Sequence, residues 1–337
     1  MNRGIFNSLN QRLHHKVQRG VVLAPYVHFR IGGPAEYFFI AKNSEELVEA
    51  CQAAIDLGIP YTILGDGSNV IILDNGIEGL VIKTANKKIN FIDNVVEAEA
   101  GAVLMEVANR AAEMGLSGLE FAGGIYGTVG GAVYGNAGSF GREIKDILVT
   151  CRFFDPNRGV RELNNNECQF VYRGSIFKQH RDWVILSARF ALTPSSPETV
   201  KQHLLELVKK KSASQPFNLP SSGCIFQNIP AGEVDWNKIE KEIEADSINQ
   251  SSGLTNRECW ERFRQQGYLP VSYLLEELGL KGKQIGQAQV SDKHANFIVN
   301  LGGATASEVI MLISYLKQQV RDRVGIQLQE EVQILGK

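Results

Sequence analysis

The sequence contains few cysteines, no long hydrophobic run and no excess of positive charge. Its five cysteines are widely spaced and include no Cys-x-x-Cys pair, which argues against a disulfide framework and against a zinc site. No apolar run is long enough to cross a bilayer. Lys and Arg number 35 and Asp and Glu number 37, so no global positive field exists to hold nucleic acid. We therefore expect no metal site, no membrane and no nucleic-acid partner.

The length of 337 residues exceeds that of a typical single domain, and the composition is that of an ordinary globular protein. The first residues alternate apolar and polar side chains, which predicts an amphipathic helix rather than a signal-peptide core. We expect a cytoplasmic protein that is a monomer or a weak oligomer. Composition alone leaves an enzyme and a binding protein equally open.

The standard nucleotide-binding loops are also absent. The segment LGDGSN at 64–69 follows a predicted strand, and Gly65 and Gly67 would let backbone N–H groups approach phosphate oxygens. The Rossmann fingerprint requires glycine where Val70 stands, and no Gly-x4-Gly-Lys-Ser/Thr sequence occurs. Taken alone, the segment is better explained as a tight turn with Asn69 as an Asx cap.

Glycine is the one residue type in excess, and it is concentrated between residues 123 and 141. Eight glycines occur within these nineteen positions, interleaved with apolar residues that a flexible linker would not contain. Thr128, Asn136 and Ser139 offer neutral polar contacts suited to a large ring system with a diphosphate. A close crossing of backbone elements explains the pattern almost as well.

The order of predicted elements indicates three regions. We predict a helical extension over 1–20, a domain of alternating strands and helices over 21–195, and a third domain over 196–337. Residues 231–269 have an acidic character of their own and predict an insertion in the third domain.

Several short segments, in order along the chain, resemble the UDP-N-acetylenolpyruvoylglucosamine reductase (MurB) family. The likeness extends roughly from residue 21 to the end. The segments are HFRIGGPA at 28–35, LGDGSN at 64–69, the glycine-rich stretch 118–141, FVYRGSIFK at 170–178, PSSGCIFQN at 220–228, residues 281–300, and LQEEVQILG at 328–336.

The resemblance implies an α+β protein with a two-subdomain FAD-binding fold of the PCMH (vanillyl-alcohol-oxidase-like) type, followed by a third α+β substrate-binding domain. It further implies NADPH-dependent, FAD-mediated reduction of UDP-N-acetylglucosamine enolpyruvate to UDP-N-acetylmuramate in peptidoglycan synthesis. Such a reaction needs a cation for the charge that develops on the substrate carboxylate. It also needs one acid that stays protonated beside that carboxylate and one that protonates carbon.

Three residues match the motifs that carry these roles. Arg173 matches the motif position of the cation, and it suits that role because a guanidinium is permanently charged and fits a carboxylate. Glu331 matches the protonated acid, and strand alternation would put its neighbour Glu330 on the opposite face. Cys224 stands where the family has a proton-donating serine, and a free thiol is a far stronger acid than a hydroxyl.

The resemblance also implies binding residues. Tyr172 and Asn228 are predicted substrate contacts, and His294 is either a third contact or a structural histidine with a satisfied ring nitrogen. The predicted cofactor contacts lie in the two glycine-containing segments; they are Gly65, Gly67, Ser68, Asn69, Gly124, Ile125, Gly127, Thr128, Gly130, Gly131, Asn136 and Gly138.

The chain departs from the family pattern at several positions. Tyr126 replaces a proline, and Ser214 stands where a lysine is expected, with Lys210 or Lys211 as candidates to supply the missing charge. We also expect Trp236, Trp260 or Tyr268 of the insertion to close over the UDP-sugar.

Two other functions fit part of this pattern. One is a different FAD-dependent oxidase or dehydrogenase on the same scaffold, which would not need Cys224 and Glu331. The other is a catalytically silent nucleotide-sugar binding protein, against which the joint presence of Arg173, Cys224 and Glu331 argues.

Overall fold

A mixed four-stranded sheet forms the first unit of the chain, in strand order β1-β2-β5-β3. The structure is a computed structural model that describes residues 3–336; Met1 and Asn2 of the predicted extension and Lys337 of the third domain lie outside the described residues. The elements of this first subdomain are α1 (Arg3–Arg12), β1 (Gln18–Val22), β2 (Pro34–Ala41), α2 (Ser44–Asp56), β3 (Tyr61–Leu64), β4 (Val70–Ile72) and β5 (Ile77–Thr84).

The N-terminal extension belongs to this first subdomain. Leu9 of α1 and Leu13, just after the helix, are buried in the same core as Phe39 and Leu47. Strand β1 pairs antiparallel with β2 and crosses the predicted boundary at residue 20. The extension is therefore part of the folded unit, because its apolar face completes the core over α2.

An antiparallel five-stranded sheet, in strand order β12-β11-β13-β7-β6, organises the second subdomain. Its elements are β6 (Ile89–Ile92), β7 (Val95–Glu99), α3 (Leu104–Glu113), β8 (Leu116–Ser117), α4 (Val129–Tyr134), β9 (Gly138–Ser139), β10 (Arg142–Glu143), β11 (Leu148–Asp155), β12 (Gly159–Asn164), α5 (Ile176–Gln179), β13 (Val184–Ala191), β14 (Thr193–Pro194) and α6 (Pro197–Ser214).

Helix α6 corrects the predicted boundary at residues 195/196. Its buried side chains Val200 and Leu204 lie in the core of the second subdomain, against α3. The helix begins where Ser196 caps it by accepting a hydrogen bond from the Thr199 N–H (3.2 Å). The second subdomain therefore extends to about Ser214, because the apolar face of α6 has its partner there.

The third domain packs an antiparallel sheet, in strand order β15-β20-β19-β18, against the long helix α10. Thr305 caps α10 and forms a capping box with Glu308. The elements are β15 (Ser221–Cys224), β16 (Ile229–Pro230), α7 (Trp236–Glu242), α8 (Asn256–Gln266), β17 (Tyr268–Leu269), α9 (Val271–Glu277), β18 (Gln284–Ile285), β19 (Ala288–Val290), β20 (Phe297–Asn300), α10 (Ala306–Val324) and β21 (Gln333–Leu335).

The insertion 231–269 folds as part of this third domain. Trp260 is 1% exposed and lies in the same core as Ile239 and Leu312, a residue of α10. At the other end of the domain, β21 leaves it and pairs in parallel with β4 of the first subdomain. The last residues of the chain therefore connect the third domain to the first.

Two further findings concern residues 3–336. None of the helices formed by these residues has both the length and the apolar character needed to span a membrane. Nor does this part of the chain hold a cluster of three or more His, Cys, Asp or Glu side chains that could bind a metal ion.

The position of α6 leads to a stability prediction. Leu204→Ala should lower the free energy of unfolding by about 2–5 kcal/mol, because it removes a buried side chain between α6 and α3. The control is Leu205→Ala, at a neighbouring leucine that is 58% exposed, which should stay within about 0.5 kcal/mol of wild type. Urea denaturation followed by circular dichroism measures both, and equal effects would contradict this packing.

Candidate active site

A cavity of about 880 Å³ is lined by residues of both subdomains and of the third domain. Arg173, Cys224 and Glu331, which lie far apart in sequence, all line it. All but one of the predicted cofactor contacts do so too; these are Gly65, Gly67, Ser68, Asn69, Gly124, Ile125, Gly127, Thr128, Gly130, Gly131 and Gly138.

The two glycine-containing segments lie directly against each other at this cavity. A Cβ added at Gly65 would stand 2.8 Å from Oγ1 of Thr128, and one added at Gly127 would stand 2.9 Å from Oγ of Ser68. Both distances are too short for a real Cβ contact, so glycine is needed where the segments meet. The result is a wall of backbone and small side chains that an extended cofactor can approach closely.

The two asparagines among the predicted cofactor contacts use their side chains within the protein. Asn136 is fully buried and does not line the cavity; its Nδ2 donates to Glu143 (2.9 Å) and to the Val171 carbonyl (3.0 Å). We therefore remove Asn136 from the proposed cofactor contacts. Asn69 lines the cavity, and its Nδ2 donates to the backbone carbonyl of Glu331 (3.2 Å).

An ion pair between Arg173 and Glu331 joins the second subdomain to the C-terminal segment. Nε of Arg173 donates to Oε1 of Glu331 at 2.9 Å, and Nη2 donates to the Gly138 carbonyl at 3.0 Å. Arg173 has a left-handed backbone (φ +54°), which is uncommon for a residue with a side chain. Lys178 donates to the Arg173 carbonyl (2.6 Å), so the strained turn is fixed and the guanidinium is aimed into the cavity.

Burial shifts the pKa of both candidate acids upward. It raises the pKa of the Glu331 carboxyl, and the charge and hydrogen bond of Arg173 oppose that shift. Burial, helped by Glu331, raises the pKa of the Cys224 thiol to about 12, against the opposing effects of Arg173 and Lys211. The thiol is therefore protonated at neutral pH, and its acidity lies much closer to that of serine than a free thiol's would.

The predicted substrate contacts fall in two places. The Tyr172 ring lies 5.1 Å from the Arg173 guanidinium carbon and is half-exposed beside the cavity. Oδ1 of Asn228 accepts a hydrogen bond from the Val271 N–H (3.3 Å). His294 instead lines a second cavity of about 210 Å³, and its Nδ1 is buried without a hydrogen-bond partner. Burial lowers the pKa of His294 to about 4, so the ring is neutral there.

None of the residues that we expected to close over the UDP-sugar, Trp236, Trp260 and Tyr268, lines the main cavity. Trp260 is buried in the third-domain core, and Trp236 packs against that core, with the guanidinium of Arg264 on its ring at 4.5 Å. Tyr268 lies in β17, which pairs with β16. The insertion instead contributes Asn249 and neighbouring serines to the smaller cavity beside His294.

Sequence reasoning missed an aromatic group at the main cavity. The Tyr126 ring lies 5.1 Å from that of His28 and 5.2 Å from that of Phe217, and all three residues line the cavity. His28 in turn contacts Oδ2 of Asp66 at 2.6 Å. The departure from proline at Tyr126 was the one available signal, because the other two rings meet it only in the folded chain.

Two protein-family models match separate parts of the chain. Residues 35–164 match the family model for an FAD binding domain. Together with the glycine-walled cavity, this match defines the chain as an FAD-dependent oxidoreductase. Residues 215–335 match the model for the C-terminal domain of UDP-N-acetylenolpyruvoylglucosamine reductase.

Whole-chain relatives carry the same name. The chain is 38% identical to the UDP-N-acetylenolpyruvoylglucosamine reductase of Lactobacillus delbrueckii subsp. bulgaricus, over 95% of each chain, and 35% identical to that of Carboxydothermus hydrogenoformans, over 97% of each. The crystal structure of MurB from Thermus caldophilus superposes with a TM-score of 0.73 at 28% identity, covering 95% of this chain and 98% of that one. The chain belongs to the UDP-N-acetylenolpyruvoylglucosamine reductase (MurB) family.

The contact between the glycine segments predicts the behaviour of one variant. Gly65→Ala should displace Thr128, which caps α4, and so raise the dissociation constant for FAD roughly 3- to 30-fold. Gly232→Ala is the matched control, because a Cβ there meets open space. Titrating each apoprotein with FAD and following flavin fluorescence measures the effect; unchanged affinity in Gly65→Ala would show that the two segments can separate freely.

Proposed function

We propose that the chain reduces UDP-N-acetylglucosamine enolpyruvate to UDP-N-acetylmuramate, with NADPH as the reductant and Arg173, Glu331 and Cys224 as the catalytic residues. The observation that carries this proposal is that these three side chains, far apart in sequence, line the one cavity walled by the glycine segments. FAD, when bound there, supplies hydride transfer from NADPH to the outer carbon of the enolpyruvyl group. The relatives named above carry this activity in their names.

Arg173 and Glu331 act on the substrate carboxylate. As hydride adds to the outer carbon, the C=C π electrons move towards the carboxylate, and the Arg173 guanidinium offsets that negative charge. Glu331 is held beside Arg173, and burial raises the pKa of its carboxyl group. In the proposed step its protonated form donates a hydrogen bond to the same substrate carboxylate.

Cys224 completes the reaction by donating its Sγ proton to the carbon between the ether oxygen and the carboxylate. A new C–H bond forms there while the S–H bond breaks, and the thiolate is reprotonated from solvent before the next turnover. Arg173 and Lys211 both lower the pKa of this thiol and thus stabilise the thiolate that the step produces.

The further predictions about this chain are part of the same proposal. They are a cytoplasmic location, a monomeric or weakly oligomeric state, and substrate contacts from Tyr172, Asn228 and His294. The position of the Tyr172 ring beside the Arg173 guanidinium supports the predicted contact of Tyr172 with the substrate. The unpartnered Nδ1 of His294 and its separate cavity favour a contact with a part of the substrate remote from the reacting carbon.

An anaerobic half-reaction tests the proposed function. The purified holoenzyme is reduced with NADPH, excess reductant is removed, and UDP-N-acetylglucosamine enolpyruvate is added while the flavin absorption band is recorded. Prompt return of the oxidised band is expected. A band that returns only when oxygen is admitted would overturn the proposal and favour an oxidase on the same scaffold.

Replacing the proposed proton donor should separate the two halves of the reaction. Cys224→Ala should lower kcat roughly 100- to 10,000-fold, the usual contribution of a general acid, while NADPH still reduces the flavin at the wild-type rate. Cys224→Ser should restore most of the turnover, because a hydroxyl can donate the same proton. Stopped-flow traces of each half-reaction provide the measurement, and wild-type turnover in Cys224→Ala would remove Cys224 from the mechanism.

A further inference from the structure

Lys211 is a buried cation whose only part in the reaction described above is to lower the pKa of the Cys224 thiol. It lies in the last turn of α6, is 7% exposed and lines the main cavity. Its ammonium stands 5.7 Å from the centre of the Phe140 ring. Its stem packs on Gly124, where an added Cβ would lie 2.9 Å from Cδ of Lys211. Helix and glycine together fix the position of the side chain.

The ammonium of Lys211 has no anionic partner among residues 3–336. Two other half-buried lysines near the cavity are satisfied: Lys178 donates to the Arg173 carbonyl, and Lys83 donates to the Gly65 carbonyl and faces Asp66. The nearby carboxylate of Glu331 is already paired with Arg173. A buried charge without a partner is costly, so this site is built for an anion that a ligand brings.

We propose that Lys211 binds the enolpyruvyl carboxylate of the substrate and so holds the reacting carbon beside Cys224. This inference rests on the proposed function, whose substrate carries two anionic groups, the carboxylate and the diphosphate. Lys211, Cys224 and Arg173 line the same cavity, and the charges of Arg173 and Lys211 both lower the pKa of the Cys224 thiol. The carboxylate is bonded to the carbon that Cys224 protonates, whereas the diphosphate lies beyond the sugar ring. The carboxylate is thus the anion that reaches this group of residues.

The same position makes the charge of Lys211 sensitive to pH. Burial lowers its pKa to about 8; Arg173, which faces it from the second subdomain, adds to this shift, and Cys224, on β15, opposes it. The ammonium is charged below this pH and loses its charge above it. Binding of the carboxylate should therefore weaken as the pH rises through about 8.

Two variants and a neighbouring control test the proposal. Lys211→Met keeps the length of the side chain but not its charge and should lower kcat/KM for the enolpyruvyl substrate roughly 10- to 100-fold. NADPH should still reduce the flavin at the wild-type rate. Lys211→Arg should keep most of the activity at neutral pH and abolish the decline in kcat/KM between pH 7 and 9, because a guanidinium stays charged. Lys210→Met, at the exposed neighbour, should behave like wild type.

A binding measurement identifies the anion. UDP-N-acetylglucosamine has the diphosphate but lacks the enolpyruvyl carboxylate, so its dissociation constant should be the same for wild type and Lys211→Met. A weaker complex in the variant would overturn the proposal by assigning Lys211 to the diphosphate. Slower flavin reduction by NADPH in the variant would overturn it by assigning Lys211 to the reductant. Failure of the proposed function has a different signature: in the wild-type protein, the enolpyruvyl substrate would not reoxidise the reduced flavin.

Discussion

The attachment of the C-terminal segment to the first subdomain is the constraint on which the cavity depends. Strand β21 adds to β4, the Gln333 N–H donates to the Asn69 carbonyl (3.1 Å), and the Asn69 side chain holds the Glu331 carbonyl. The Glu331 N–H donates to the carbonyl of Ile225, in the loop that follows Cys224 (2.8 Å). Arg173 then reaches Glu331 from the second subdomain. One short segment thus ties all three structural units around a single space.

Burial in that space shifts the pKa of three ionisable groups that line it, Glu331, Cys224 and Lys211. The same loss of solvent raises the pKa of Glu331 and Cys224 and lowers that of Lys211. Neighbouring groups modify these shifts: Arg173 opposes those of Glu331 and Cys224 and adds to that of Lys211. The direct results are a carboxyl group with a raised pKa, a thiol that keeps its proton at neutral pH and a cation that is easily neutralised. Substrate binding would exclude still more water and strengthen these electrostatic contacts.

The sequence was most informative where function demands a particular residue type. Glycine spacing predicted the cavity wall, and motif order predicted that Arg173, Cys224 and Glu331 would meet. Side-chain hydrogen bonding was not predictable in this way, because Asn136 and Asn69 have partners that are distant in sequence or visible only in the folded chain. For the same reason the sequence placed a domain boundary before α6, although this helix packs in the second subdomain.

The roles of individual aromatic residues were the least predictable. Trp260 was expected to cover the substrate, whereas in the folded chain it is buried in the third-domain core that also contains Leu312 of α10. Lys211 shows the converse: its neighbours Lys209 and Lys210 have the same chemistry, and the direction of the last turn of α6 alone puts Lys211 in the cavity.

The link between Asn69 and Glu331 spans 262 residues of sequence. On the ribosome the first subdomain emerges early, and domains generally fold in the order in which they are synthesised. The glycine-walled surface must therefore wait, open on one side, until the residues of β21 have left the exit tunnel. Active protein can appear only after synthesis of almost the whole chain, and a chain cut short before Glu331 would fold in part yet lack the carboxyl group that pairs with Arg173.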